Sequence, residues 1–178
     1  MMKTYNIAIL GAGHIAEKMA HTLQQMPRAN SYAVASRSLE KAQQFAQRWG
    51  FSKAYGSYTD MLADPAIDLV YVATPHAMHY SHVLQCLQAG KAVLCEKAFT
   101  CNAREAEALI HEAEARKLLL AEAIWTRYLP LMQTVKQLVN SGIIGQPRTL
   151  TANLSYPISH KERIQRPNLG GGALLDIG

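Results

Sequence analysis

The chain begins, from residue 5 to residue 16, with the sequence YNIAILGAGHIA, in which an apolar run leads directly into closely spaced glycines. The apolar run at residues 5–10 predicts a buried β-strand, and residues 14–26 predict a helix. Gly11 and Gly13 allow the tight turn that joins the two. A strand, a glycine turn and a helix in this order are typical of the first unit of an α/β sheet.

The same alternation continues along the chain. Short apolar runs predict further strands, and the segments between them predict helices. The predicted strands lie at residues 31–36, 68–73, 92–95 and 118–121, and the predicted helices lie at 39–49, 58–63, 77–89 and 103–117. Strands that alternate with helices form a parallel sheet covered on both faces. The sequence therefore predicts an α/β fold over residues 1–122, with a doubly wound parallel sheet of the Rossmann type.

The pattern changes after residue 122. The sequence then predicts a helix at about 129–141, a turn, a strand at about 148–156 and a polar loop at 157–169. We expect residues 123–178 to be the beginning of a second domain, which this chain does not complete.

The composition is that of a globular protein. Of the 178 residues, 49% are hydrophobic and 17% are charged, which excludes disorder of the whole chain. No apolar run approaches the roughly 18 residues of a membrane helix, and the N-terminus lacks the features of a secretory signal. The net charge of +5 comes without a dense basic run, so we expect anionic small molecules and neither nucleic acid nor membrane as partners. An odd number of cysteines, Cys86, Cys95 and Cys101, without metal-type spacing indicates a reducing, cytoplasmic location.

The glycine turn also carries a ligand-binding pattern. Gly11, Gly13, His14, Ile15 and Ala16 match the pattern G-x-G-x-x-G/A. Glycine lets the backbone approach a pyrophosphate, and the N-terminus of the helix offers free N–H groups and the positive end of its dipole. The strand–turn–helix context therefore predicts a dinucleotide site, and the alternative is an ordinary glycine-rich turn.

The end of the second strand selects between the two nicotinamide dinucleotides. NAD sites usually place Asp or Glu about 20 residues after the glycines, where the carboxylate bonds the ribose hydroxyls. Here Ser36 and Arg37 occupy that position, and Lys41 follows one helical turn later. Since Arg37 can pair with a 2′-phosphate, the sequence favours NADP over NAD. The alternative is that Arg37 is a solvated loop charge.

Two further strand ends carry candidate site residues. Thr74, Pro75 and His76 follow one predicted strand, and Glu96 and Lys97 follow the next. Because ligands of such sheets bind at the carboxyl ends of the strands, we expect all five at the cofactor crevice. A lysine there can hydrogen-bond a substrate oxygen or accept the proton that moves opposite to a hydride. The alternative is that Lys97 is a surface cation beside Glu96.

Histidines recur at every third position, at His76, His79 and His82. Only neighbouring pairs share a helix face, and no cysteine or carboxylate completes a site, so no metal ion is predicted. We expect His79 to line the crevice that holds cofactor and substrate. A capping or solvent-exposed histidine is the alternative.

The sequence WTRY at residues 125–128 is unusual for a simple connection between domains. Trp125 and Arg127 are candidates for the wall of the pocket that holds cofactor and substrate. The alternative is an aromatic plug between two domains.

Five segments together resemble the glucose–fructose oxidoreductase / inositol dehydrogenase superfamily of NAD(P)-dependent oxidoreductases, and within it the dimeric dihydrodiol dehydrogenase branch. The segments are GAGHIA at 11–16, AYGSY at 54–58, KAVLCEK at 91–97, EAIWTRYLP at 122–130 and GGGALLDIG at 170–178. They spread over the whole chain in the expected order. The resemblance implies a Rossmann domain followed by an α/β domain with a large open sheet, and a homo-oligomer for a full-length form.

The resemblance also implies roles for individual residues. Lys97 would be the catalytic lysine of a Glu-Lys motif, Asp176 would lie on the substrate-side helix, and Arg37 would fit the preference of the branch for NADP. The chain departs from the family in two places. Ala98 replaces the usual proline after Lys97, which leaves open whether that peptide bond is cis or trans. The family's acid/base residue would fall near position 180, beyond Gly178, so the chain looks truncated.

These observations predict an NADP-dependent oxidoreductase that transfers a hydride between its cofactor and a sugar, polyol or dihydrodiol-type carbon. The first alternative is a binding module that holds NADP without turnover. The second is an NAD-dependent glycosidase, because the superfamily includes such enzymes. Ser36 and Arg37 argue against this second alternative.

Overall fold

The computed structural model describes residues 3–177, with the side chain of residue 177 left aside. Its strands are β1 (Tyr5–Leu10), β2 (Ala29–Ala35), β3 (Lys53–Tyr55), β4 (Leu69–Val72), β5 (Ala92–Cys95) and β6 (Leu120–Glu122). Its α-helices are α1 (His14–Leu23), α2 (Leu39–Trp49), α3 (Tyr58–Leu62), α4 (His79–Gln88), α5 (Ala103–Arg116), α6 (Pro130–Asn140), α7 (Glu162–Gln165) and α8 (Ala173–Ile177). Short 3₁₀ turns lie at His76–Met78, Trp125–Tyr128 and Pro167–Leu169.

The strands form one parallel sheet in the order β3-β2-β1-β4-β5-β6. This is the strand order of a Rossmann fold, and the predicted α/β class is confirmed. The direction of winding reverses at β1, which pairs with β2 on one side and β4 on the other. Leu10 lies opposite both Ala35 and Val72, and Val72 lies opposite Cys95. The segments that follow β1, β2, β4 and β5 therefore meet at one edge of the sheet.

The sheet is buried on both faces, as expected for parallel strands between helices. Ala8, Leu10 and Val72 pack on one face, while Ile9 and Tyr71 pack on the other. Both apolar layers are built from residues before position 124. The core therefore belongs to the predicted Rossmann unit and holds its strand ends in fixed positions.

Local signals explain where several helices begin. The side chains of Ser38, Ser57 and Asn102 accept hydrogen bonds from backbone N–H groups in the first turns of α2, α3 and α5, at 3.3, 3.3 and 3.0 Å. Such caps satisfy N–H groups that have no partner within the helix. The helix α1 differs from these three, because Gly13 precedes it without a side-chain cap.

The prediction of a strand at about 148–156 is wrong. Within the described residues this segment has no ladder partner, and Leu150 and Leu154 are 90% and 56% exposed. A strand is stable only when a neighbour satisfies its backbone groups, and the described part of the chain places none beside it. No helix within residues 3–177 is both long and apolar enough to cross a membrane.

A buried carboxylate joins the neighbouring strands β2 and β3 at one edge of the sheet. Asp64 Oδ2 accepts hydrogen bonds from Lys53 Nζ at 2.7 Å, Tyr55 Oη at 2.8 Å and Tyr32 Oη at 3.1 Å. Its Oδ1 accepts from the N–H of Ala66 at 3.0 Å. The Lys53 and Ala66 hydrogen bonds outweigh burial and hold the pKa of Asp64 well below its usual range.

We expect Asp64→Asn to lower the free energy of unfolding at pH 7 by about 2 kcal/mol, because the charged acceptor of several hydrogen bonds is lost. A carboxylate with a lowered pKa stabilises the fold above about pH 4, and this contribution disappears as the pH falls through the folded-state pKa. The difference between wild type and Asp64→Asn, measured by urea unfolding, should therefore shrink between about pH 5 and pH 2. The exposed Asp60→Asn is the control, and an equal loss in both variants would contradict the assignment.

Candidate functional site

The turn after β1 requires a glycine at position 11. Gly11 has φ +104°, and its N–H donates to the carbonyl of Ala35 at 2.9 Å. A Cβ at this position would lie 3.1 Å from both the carbonyl oxygen of Ala73 and Cγ2 of Thr74. The first glycine therefore brings the backbone of β1 close to the end of β4.

Gly13 faces open space at the start of α1. Its backbone is extended, and a Cβ built on it meets nothing within 4 Å. His14 is exposed and lies 3.7 Å from Glu17, while Ile15 is half-buried and Ala16 is fully buried against the sheet. Uncapped N–H groups beside open space are what a phosphate group binds. These residues therefore fit the pyrophosphate of a dinucleotide.

The end of β2 presents a cation. Ser36 is buried, and its N–H donates to Tyr55 at 3.1 Å. Arg37 is exposed, and its positive charge contributes to lowering the pKa of His82, after burial and His79. Residues 36–38 contain no carboxylate that would repel a 2′-phosphate. Ser36 and Arg37 follow β2 directly. This position allows Arg37 to pair with a 2′-phosphate, and it also allows Arg37 to remain a solvated loop charge.

Thr74 and Pro75, both half-buried, follow β4 at the same edge of the sheet. Thr74 directs its methyl group toward Gly11, and its hydroxyl oxygen lies 3.0 Å from Nδ1 of His82. The carbonyl oxygen of Thr74 lies 2.8 Å from Nε2 of His79. Thr74 therefore connects the glycine turn to the beginning of α4.

The expectation that His79 lines the crevice is not met. His79 is 0% exposed, and its Nδ1 lies 2.7 Å from the carbonyl oxygen of Ala98. Both ring nitrogens are thus within hydrogen-bond distance of backbone carbonyls, one after β4 and one after β5. A buried polar group needs such partners, and here they make His79 a link between two loops.

His76 is also buried, and it faces the C-terminal segment. Its Nδ1 lies 3.1 Å from the carbonyl oxygen of Gly170, and its ring contacts that of His79 at a centroid distance of 5.6 Å. Burial lowers the pKa of His76. In this structure His76 connects residues 167–170 to the crevice instead of facing open space.

Lys97 and Asp176 meet, although they lie far apart in the sequence. Lys97 Nζ donates to the backbone carbonyl of Asp176 and lies 3.7 Å from its Oδ1. Arg163 Nη2 donates to the same Oδ1 at 2.7 Å. Burial raises the pKa of Asp176, but the hydrogen bond and charge of Arg163, with Lys97, bring it below its usual value. The carboxylate is therefore ionised beside the lysine at neutral pH.

The loop that carries Lys97 is held on several sides. Glu96 accepts the N–H of Lys97 at 3.2 Å through Oε2, and the buried Tyr71 hydroxyl donates to its Oε1. Glu122 Oε1 accepts the N–H of Phe99 at 3.0 Å. The peptide bond between Lys97 and Ala98 is cis. These contacts hold the backbone on both sides of Lys97, whose side chain meets Asp176 and remains 36% exposed.

Trp125 and Arg127 lie in a 3₁₀ turn after β6, and both side chains are exposed. Within residues 3–177 no hydrogen bond joins either side chain to Lys97 or Asp176. Their predicted place in the wall of the pocket stays a prediction. In the same described part of the chain, no group of three or more His, Cys, Asp or Glu side chains is arranged to hold a metal ion.

Three contributors to this region went unrecognised in the sequence. Arg163 lies in a segment interpreted as a polar loop, and only its distance in space to Asp176 shows its role. Glu122 gave no signal beyond its place at the end of a strand. His82 has no predicted role at the crevice, although it lies on the first turn of the helix that follows the β4 end.

The arrangement has two chemical parts at one edge of the sheet. The glycine turn and α1 offer N–H groups to a pyrophosphate, and Arg37 adds a positive charge. Lys97, ionised Asp176 and Arg163 form a charged cluster after the neighbouring strand. A substrate oxygen at Lys97 could accept a hydrogen bond that strengthens as negative charge develops on it.

Comparison with known proteins finds similar sequences. A family model described as an oxidoreductase family with an NAD-binding Rossmann fold matches residues 5–123, and one described as the GFO/IDH/MocA C-terminal domain matches residues 132–178. The mouse trans-1,2-dihydrobenzene-1,2-diol dehydrogenase is 40% identical over 172 residues, covering 96% of this chain and 52% of that protein. The NADP(+) D-xylose 1-dehydrogenase of Hypocrea jecorina is 41% identical over 197 residues, covering 98% of this chain and 50% of that protein.

A solved structure is also similar. The 3-ketoreductase KijD10 from Actinomadura kijaniata, in complex with NADP and TDP-benzene, superimposes with a TM-score of 0.90 and 31% identity, covering 98% of this chain and 54% of that one. The chain thus spans about half the length of the relatives it matches. The match to the family model over β1–β6, where the glycine turn and Lys97 lie, confirms the predicted resemblance: the chain belongs to the oxidoreductase family with an NAD-binding Rossmann fold.

Proposed function

We propose that this chain is the NADP-binding part of an oxidoreductase that transfers a hydride to or from a sugar, polyol or dihydrodiol-type carbon. The observation that carries the proposal is the uncapped N-terminus of α1 beside Gly13, with Arg37 in place of a carboxylate at the end of β2. The relatives that are named as NADP-dependent or contain NADP support the choice of cofactor.

Each residue of the candidate site has a separate role in this proposal. Gly11, Gly13 and the first turn of α1 bind the pyrophosphate, and Arg37 pairs with the 2′-phosphate. A bound NADP supplies the hydride acceptor, and NADPH the hydride donor. Lys97 donates a hydrogen bond to the reacting oxygen and stabilises its negative charge in either direction. Asp176 keeps the ammonium group in place before substrate arrives.

The wider setting is part of the same proposal. Residues 1–122 form the cofactor domain, and residues 123–178 begin the domain that holds substrate and joins copies of a longer protein into a homo-oligomer. The three cysteines of the described chain are free, and burial raises the pKa of Cys86 to about 12. Unreactive thiols without disulfides support a cytoplasmic location.

A second candidate is a binding module that holds NADP without turnover. The observation that favours it is the coverage of only about half of each relative. Binding and turnover must therefore be measured separately.

The test is a titration of the chain with NADPH and with NADH, followed by the fluorescence of Trp49 and Trp125. We expect NADPH to bind at least tenfold more tightly than NADH, and Arg37→Ala to remove about tenfold of NADPH affinity while leaving NADH unchanged. Arg104→Ala, exposed on α5, is the control. Equal affinities for both nucleotides in wild type, or binding of neither, would contradict the proposal.

Turnover then separates the two candidates. Reduction of NADP by an aldose, a polyol or an aromatic dihydrodiol, lost in Lys97→Met with binding retained, supports the oxidoreductase. Binding of NADPH without turnover of any of these classes supports the binding module.

A further inference from the structure

His82 occupies a position at the crevice that no other part of the proposed function uses. It lies on the first turns of α4 and is half-buried, and its Nδ1 is 3.0 Å from the hydroxyl oxygen of Thr74. Within the described residues its Nε2 has no hydrogen-bond partner. One edge of the ring is therefore fixed, and the other is available to a ligand.

The place of His82 follows from its partner. The side chain of Thr74 contacts the Gly11 turn, with Cγ2 3.1 Å from where a Cβ of Gly11 would be. The aromatic ring of Tyr58, at the start of α3, meets the imidazole edge-on at a centroid distance of 5.0 Å. The N–H of Gly11 donates to Ala35 at the end of β2. His82 thus lies close to the segments after β1, β2 and β4, and the end of β2 is where a Rossmann fold holds the adenosine ribose.

Among the described residues, the charged groups that act on His82 are basic. Arg37 follows β2, and its positive charge acts on His82. His79 lies on the same helix as His82, and Tyr58 and Thr74 are its uncharged contacts. Burial, His79 and Arg37 all lower the pKa of His82 in the free chain. An anion in this space would reverse the electrostatic part of that effect.

We propose that His82, in its protonated form, binds the 2′-phosphate of NADP together with Arg37. The inference rests on the proposed function, because it needs NADP in this crevice. A phosphate monoester carries nearly two negative charges at neutral pH and accepts charge-assisted hydrogen bonds from imidazolium and guanidinium groups. Binding of NADPH then takes up a proton at His82, whereas binding of NADH does not.

The consequence is a pH dependence of cofactor choice. Protonation of His82 is favoured as the pH falls. The ratio of NADPH affinity to NADH affinity should therefore receive an increasing contribution from His82 as the pH is lowered from 8 to 6. The 2′-phosphate also takes up a proton near pH 6, which weakens its binding to cations. This second effect is common to all variants, and comparison among variants isolates the contribution of His82.

The experiment measures dissociation constants of NADPH and NADH at pH 6.0, 7.0 and 8.0 for wild type, His82→Gln and His82→Lys. We expect His82→Gln to weaken NADPH about fivefold at pH 6 and less than twofold at pH 8, because only the imidazolium donates a charge-assisted hydrogen bond. His82→Lys, charged throughout this range, should tighten NADPH at pH 8 relative to wild type. His111→Gln, exposed on α5, is the matched control, and thermal unfolding confirms that each variant folds.

The outcomes separate the two proposals. If the wild-type chain binds neither nucleotide, both the proposed function and this inference are contradicted. Wild type that prefers NADPH, with the same pH profile in wild type, His82→Gln and His82→Lys, overturns only the role of His82. An equal loss of NADH and NADPH affinity in His82→Gln also contradicts the proposed role of His82, because NADH has no 2′-phosphate for His82 to bind.

Discussion

Substitution of Gly13 by alanine is expected to weaken NADPH binding about 100-fold, because the added methyl group occupies the space in which the pyrophosphate approaches the backbone. The free chain should tolerate the change. The backbone at Gly13 is extended, and the Cβ meets nothing within 4 Å. We expect the free energy of unfolding to fall by less than about 1 kcal/mol, the usual difference between glycine and alanine at an N-cap.

The matched control is Gly90→Ala at the far end of α4. Gly90 has φ +73° and open space around its Cβ, so alanine there costs about 1 kcal/mol of stability without approaching the crevice. Fluorescence titration should show NADPH binding as in wild type for Gly90→Ala and almost none for Gly13→Ala. Retained binding in Gly13→Ala would place the pyrophosphate elsewhere and contradict the site.

A second large effect is expected at Gly171. An alanine Cβ there would lie 2.5, 2.6 and 2.7 Å from the backbone carbonyl oxygens of Arg163, Ile164 and Arg166. Three backbone atoms cannot all move aside locally, so the turn between α7 and α8 must open. Because Arg163 is the hydrogen-bond partner of Asp176, this opening releases the carboxylate from the Lys97 cluster.

Limited trypsin digestion measures the release directly. We expect cleavage after Arg163 to be at least about tenfold faster in Gly171→Ala than in wild type, because local opening precedes cleavage. Gly172→Ala is the comparison, since its Cβ meets nothing within 4 Å although its φ is +109°. Equal cleavage rates in both variants would show that backbone conformation, and not the three carbonyl oxygens, fixes this turn.

The Rossmann unit was predictable because its signals are local. An apolar run, a glycine and an amphipathic segment recur with the spacing of β-strand and α-helix, and residues 5–10 and 92–95 agree with β1 and β5 to the residue. Strand β2 begins two residues earlier than predicted, at Ala29, because the ladder with β1 extends to Tyr5. Pairing with a neighbour, which the sequence of one strand does not contain, sets such ends.

The site was less predictable because its contacts join distant positions. The strand ends with Thr74 and Lys97 follow from the order of the elements alone. The contact of Arg163 with Asp176 depends on how the segment after residue 156 folds back. The burial of His79 depends on how the loops after β4 and β5 close over it. The strand expected at about 148–156 was wrong for a related reason, since its composition suits a strand but the described chain places no partner beside it.

The two outermost strands of the sheet, β3 and β6, have three residues each. An edge this short exposes few unpaired N–H and C=O groups, and short edges are one way in which β proteins avoid uncontrolled sheet growth. Many large apolar side chains after residue 128 are exposed, such as Leu131, Ile143 and Leu150. Unwanted aggregation of this chain would therefore start through its C-terminal third, and charged substitutions there should improve solubility without touching the sheet.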